Sequence, residues 1–207
     1  MAFLKQSRSI IVGIATLILV ASASYSLADI VSGPQPGDRV GAFTVTKAAG
    51  NPSDGVENGK SLCYRCRMGN KPVVMIFART ADKPLAKLIN ELEGEIEEHE
   101  DAQLSSFVNM IGADNDSLKT AATKFVKDNN IQRVAFVVPE DSKNGPDDFK
   151  ISPEADMTVV CYKGGQVVTS HALKKGELDD VKISAIVESA CNPVSYTHLT
   201  LPTKDSV

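Results

Sequence analysis

The run Pro72-Val-Val-Met-Ile-Phe-Ala78 carries no polar side chain. A strand with one wet face alternates polar and apolar residues, so a run without alternation has to be covered on both faces. Such a strand sits inside a sheet with layers above and below it, which directs the chain towards an α/β sandwich.

The rest of the chain can be ordered around that run. Leu85, Leu88, Ile89, Leu92 and Ile96 recur at helical spacing, with Asp82 placed to cap and Pro84 in the first turn. Residues 105–111 form a second strand candidate. Leu118, Ala121, Ala122, Phe125 and Val126 mark a second amphipathic helix, opened by Asp114-Asn115-Asp116, and 134–138 is a third buried strand. A polar loop, 139–156, follows. Its acidic part, from Asp141 to Asp156, lacks the alternating ligands of a calcium loop and is expected to be solvated. Strands at 158–162 and 166–170 flank Lys163-Gly164-Gly165, a hairpin signal, and 177–189 closes as a helix. The order is β-α-β-α-β-β-α. Right-handed crossovers make the first three strands parallel, with 72–78 expected between 105–111 and 134–138, and the hairpin adds an antiparallel edge.

The two ends stand apart from this pattern. Lys5 and Arg8 precede an apolar stretch from Ile10 to Val20, and Ser26-Leu27-Ala28 supplies a small-residue exit, with Ala21-Ser22-Ala23 a second one. That is the layout of a secretory signal peptide over 1–28, too short for the roughly 20 residues of a spanning helix. The expected location is periplasmic or secreted, with no membrane association after cleavage. From Pro193 onward the sequence is set aside as a non-native or disordered tail, 193–207, in which Tyr196 and His198 carry no functional weight. Between these ends lie an extension, 29–70, and a domain, 71–192. The extension is rich in Gly, Pro, Asn and Asp and is expected to be looped, with one strand at 42–46.

The formal charge of −4 argues against nucleic acid or an anionic membrane as partner, as does the lack of tryptophan or a basic stripe. Nothing in the sequence calls for a cofactor.

Chemistry centres on Cys63-Tyr64-Arg65-Cys66. A Cys-x-x-Cys pair serves redox exchange, a structural disulfide or metal ligation. Lys60, Arg65, Arg67 and Lys71 favour a thiolate, although no helix signal follows the pair. Zinc would need further ligands, and Cys161, Cys191, His99 and His171 show no ligand spacing. Haem attachment fails because Arg67, not histidine, follows Cys66. Cys161 lies mid-strand as a buried hydrophobe, and Cys191 could meet it only if the last helix end folds back. His99 closes the first helix, and His171 is expected to be solvated.

The element order, with Lys163-Gly164-Gly165-Gln166-Val167 in its last hairpin, resembles the thioredoxin-like superfamily. The lead-in Pro36-Gly37-Asp38-Arg39-Val40-Gly41-Ala42-Phe43-Thr44-Val45 looks like the opening of its redoxin branch, the exported thiol-disulfide oxidoreductases and peroxiredoxins. The resemblance implies a thioredoxin-like three-layer sandwich with a mixed sheet. It also implies a dithiol just after the first central strand, where this chain reads Arg79-Thr80-Ala81-Asp82-Lys83, and a cis-proline before the hairpin, where it reads Asp156-Met157 with Pro153 the nearest proline. By analogy with the family, Cys63 would attack a partner disulfide and Cys66 would resolve it, with protein thiols and disulfides outside the cytoplasm as partners. A second expectation is a binding or scaffold module whose Cys63–Cys66 pair staples the extension or joins a metal site.

Overall fold

The computed structural model describes residues 30–195. The expected signal peptide, 1–28, and the part of the expected tail from 196 onward lie outside the described residues. The elements are β1 (Val45–Gly50), β2 (Ser61–Leu62), α1 (Tyr64–Met68), β3 (Pro72–Ala78), α2 (Lys83–Glu98), β4 (Ser105–Met110), α3 (Asn115–Asp128), β5 (Ala135–Pro139), β6 (Met157–Lys163), β7 (Gln166–Leu173) and α4 (Asp180–Ser195). They build one seven-stranded sheet in the order β2-β1-β5-β4-β3-β6-β7.

The apolar run is β3, and all seven of its residues are buried. Each large side chain there contributes about 1.5–3 kcal/mol through burial. Val74 and Ile76 face one core and Val73, Met75 and Phe77 the other, as a strand covered on both sides requires. One neighbour differs from expectation. β3 pairs in parallel with β4, but its other partner is the antiparallel β6, and β5 lies beyond β4. Because α2 and α3 lie on the same face, the two right-handed crossovers step the sheet outward in one direction; a return to the other side of β3 needs the second helix on the opposite face.

The same crossovers place α2 and α3 on one face, where α4 joins them through Ile183, Ile186 and Ala190. Asp82 caps α2 by accepting from Leu85 N at 3.1 Å, and Asp114 caps α3 by accepting from Ser117 N at 3.0 Å, as their positions foretold. Glu93 Oε1 accepts from the backbone N–H of Gln132 (2.8 Å), Arg133 and Val134 (3.1 Å), which ties α2 to the approach of β5. The last helix begins after a turn at 177–179 and runs on through Pro193 to Ser195, past the expected end at 189.

Among the described residues, no long helix covers the opposite face. Its cover is the extension, with Val40, Val45 and Tyr64, together with Phe149 and Ile151 of the 139–156 loop. Phe149 sits 4.9 Å from Phe43 and 5.6 Å from Phe77, ring to ring. The loop is therefore a partly buried lid, not a fully solvated one, because two apolar anchors outweigh its polar and acidic residues. The extension also departs from a looped segment with a strand at 42–46. β1 starts at Val45, pairs antiparallel with β5 and with β2, and makes the extension part of the main sheet.

Candidate redox site

The Cys-x-x-Cys pair stands at the start of α1, contrary to the expectation that no helix follows it. Cys63 is the N-cap, in extended conformation, and its Sγ accepts from Cys66 N at 3.0 Å. The two cysteines form a disulfide with Cα atoms 5.2 Å apart. Cys66 is exposed and Cys63 half-buried. A helical N–H and the first-turn dipole stabilise negative charge on a capping sulfur, although a helix of five residues supplies only a modest field.

The two intervening residues hold this turn on the sheet. Tyr64 is buried, with its ring stacked on Phe107 at 5.5 Å, and its hydroxyl donates to Asp54 Oδ2 at 2.5 Å. The other oxygen of Asp54 accepts from Lys47 Nζ at 2.7 Å and from Val56 N at 2.8 Å. Lys47 is itself buried, and its ammonium also donates to Asn51 O and Val56 O, each at 2.8 Å. A lysine of β1 and a carboxylate in the 51–60 loop thus anchor the tyrosine between the cysteines. Sequence alone missed Lys47, because a register shift between Lys47 and Ala49 breaks the alternation that would have marked it as inward-facing.

Arg65 Nε donates to Val40 O at 3.1 Å, and its guanidinium lies against the hairpin. Gly165 has a φ of 75°, which favours glycine there, and a Cβ would also push aside the end of the Arg65 side chain, 1.9 Å away. Arg67 Nη2 donates to Asp54 O. Two of the four cations expected to favour a thiolate are therefore held on backbone carbonyls.

The pair lies at the end of the sheet where β3 begins, since Pro72 faces Lys163 of the hairpin. The position implied by the resemblance is at the other end of β3, about 20 Å away at a strand's rise per residue. There Arg79 donates to Ala155 O (3.0 Å), Lys143 O (3.1 Å) and Ser152 O (3.4 Å), and Thr80 donates to Asp156 Oδ2 at 2.7 Å. A guanidinium and a threonine lock the 141–156 loop where a dithiol would stand. No cis peptide bond occurs among the described residues.

The remaining candidates fall elsewhere. Cys161 is buried in β6, and burial pushes its thiol up to about 12. Cys191, in α4, donates to Glu95 Oε2 at 3.0 Å. Burial, then that bond, pushes its thiol up to about 12. His171 is half-buried, not solvated. It meets Ser189 Oγ at 3.2 Å, and burial lowers its pKa. His99 sits 3.5 Å from Glu95. Among the described residues, Cys63 and Cys66 take part in no grouping of three potential metal ligands.

These shifts predict how stability follows pH. Burial, then the Asp54 bond, raises the Tyr64 phenol well above its usual value, and burial raises Tyr162. Groups raised in the folded state stabilise fully below their unfolded pKa and lose that contribution as pH rises towards the folded value. The melting temperature is therefore expected to hold through neutral pH and fall above about pH 9, where unfolded thiols and then phenols ionise. His171 has the opposite sign, so a smaller loss is expected as pH drops below about 6.5. A melting temperature unchanged up to about pH 11 would contradict the burial of these groups.

No family model and no curated protein matches the chain. Solved structures do. A thiol peroxidase from Chromobacterium violaceum superposes with a TM-score of 0.54 at 12% identity, covering 81% of this chain and 92% of that one. AhpC from Mycobacterium tuberculosis gives 0.53 at 12% identity, over 81% and 97%. A protein assigned as the thiol:disulfide interchange protein DsbE from Chlorobium tepidum gives 0.50 at 13%, over 74% and 98%. The fold is thioredoxin-like: a mixed sheet with the three long helices on one face and the extension and lid on the other.

Proposed function

We propose that this chain exchanges disulfides with protein thiols outside the cytoplasm through Cys63 and Cys66. The observation that carries the reading is an exposed Cys66 bonded to a Cys63 whose sulfur caps a helix and accepts a backbone N–H. With the pair oxidised, a partner thiolate attacks Cys66 Sγ. The sulfur–sulfur bond opens, and Cys63 leaves as a thiolate held by the N–H of Cys66. A second partner thiolate then displaces Cys66, which takes a proton from solvent. The partner gains a disulfide and the pair gains two electrons. With the pair reduced, the same steps run in reverse.

In this reading exposure gives the intermolecular step to Cys66 and the internal one to Cys63, the reverse of the order that analogy with the family suggests. The leader over 1–28 supports an oxidising compartment, where such a pair has partners. Trapping tests the assignment. Offered a peptide disulfide, reduced Cys63→Ser should accumulate a mixed disulfide, because Cys66 attacks, one peptide sulfur leaves as a thiol and no Cys63 remains to resolve the bond; Cys66→Ser should accumulate little. Equal trapping would overturn the assignment to Cys66, and trapping only in Cys66→Ser would restore the order suggested by analogy.

The second reading, a structural staple on a binding module, is favoured by the pair's place at the far end of β3 from the expected dithiol.

A further inference from the structure

The fold brings together three side chains that stand far apart in sequence and play no part in the exchange site. Glu95 and His99 lie one turn apart on α2, and α4 delivers Cys191 beside them. One ligand atom from each falls within 4.8 Å of the others, and all three residues are half-buried. Glu95 Oε2 is shared, 3.0 Å from Cys191 Sγ and 3.5 Å from His99 Nε2.

We infer that Glu95, His99 and Cys191 form a zinc site that fastens α4 to α2. Zinc holds sulfur at about 2.3 Å and nitrogen or oxygen at about 2.0–2.2 Å, which sets tetrahedral ligands roughly 3.3–3.6 Å apart. Glu95 Oε2 is already near that spacing from both partners, and side-chain rotations must bring the sulfur and the imidazole nitrogen, which lie within 4.8 Å, to it as well. A thiolate, an imidazole and a carboxylate are the donor types zinc takes, and three protein ligands leave the fourth position to solvent. Hard cations such as calcium and magnesium, which need oxygen donors, are disfavoured by the sulfur and nitrogen. Binding releases the thiol proton of Cys191 to solvent. Glu98 lies within electrostatic range of the sulfur and adds to the attraction for a dication.

The test uses the full chain carrying Cys63→Ser/Cys66→Ser, so that a reduced Cys-x-x-Cys pair cannot supply the metal ligands. Cobalt(II) should bind with one equivalent per chain and show a thiolate-to-cobalt charge-transfer band together with the visible bands of a tetrahedral ion. Zinc should displace it and raise the melting temperature. Adding Cys191→Ser should abolish the charge-transfer band. His99→Ala should weaken binding by at least about 100-fold, more than an outer-shell residue is worth. Glu95→Gln, which preserves shape, should weaken binding as well and serves if either other variant fails to fold. Absence of a stoichiometric site, a site without the charge-transfer band, or binding that survives both Cys191→Ser and Glu95→Gln would overturn the inference.

Discussion

Asp54→Asn is expected to lower the stability of the chain by about 3–5 kcal/mol, the usual cost of removing one partner of a buried ion pair. Lys47 Nζ has 1% of its side chain accessible and Asp54 8%, so water cannot take over the lost contact. The variant leaves an ammonium with no counter-charge, facing only neutral oxygens such as the carbonyls of Asn51 and Val56, and it weakens the acceptor for Tyr64. Tyr64→Phe removes a single bond to a charged group and should cost less, about 1.5–3 kcal/mol. Lys47→Met/Asp54→Asn should recover much of the loss, because no isolated charge remains. Urea denaturation of the set measures these differences. A loss below about 1 kcal/mol in Asp54→Asn would show that this carboxylate does not hold the buried lysine.

The second large effect separates the two readings of the cysteine pair. The disulfide is expected to equilibrate with a glutathione buffer, whereas structural disulfides of exported proteins lie below about −300 mV. The N–H of Cys66 stabilises the Cys63 sulfur as a leaving thiolate, which favours the reduced form. Reduction should also leave the melting temperature nearly unchanged. A bridge with a sequence separation of 3 removes little chain entropy, and Tyr64 and Arg65 hold α1 in place without it. Thiol-labelling titrations paired with melts of both redox forms give the answer. A pair that resists glutathione, and whose reduction lowers the melting temperature by many degrees, would be a staple.

What the sequence revealed depended on how far each signal reached along the chain. β3 was legible because burial on both faces writes itself into consecutive residues. The capping of α2 and α3 was legible because Asp82 and Asp114 act on groups three residues away. Neighbours in the sheet were not, since nothing local tells β3 that β6 replaces β5 beside it. α1 is too short for a hydrophobic period to emerge, so the helix that Cys63 caps stayed hidden. The lid was read as solvated because Phe149 and Ile151 are isolated among acidic residues. The grouping of Glu95 and His99 with Cys191 exists only through the packing of α4 on α2.

The pairing of β1 with β5 also sets an order of events during synthesis. Val45 faces Pro139 and Gly50 faces Ala135, so the first strand, whose local partner is the short β2, must wait for the fifth before most of it is paired. Contacts of such range are slow to form. Throughout that wait Cys63 and Cys66 are the cysteines already made, while Cys161 and Cys191 have not been translated. Contact between such near neighbours is fast on this scale, while the oxidation that joins them takes seconds or longer and depends on the oxidant. Where an oxidising disulfide is present, the order of synthesis therefore favours Cys63 with Cys66 over pairings with the two later thiols, before the sheet exists to enforce it.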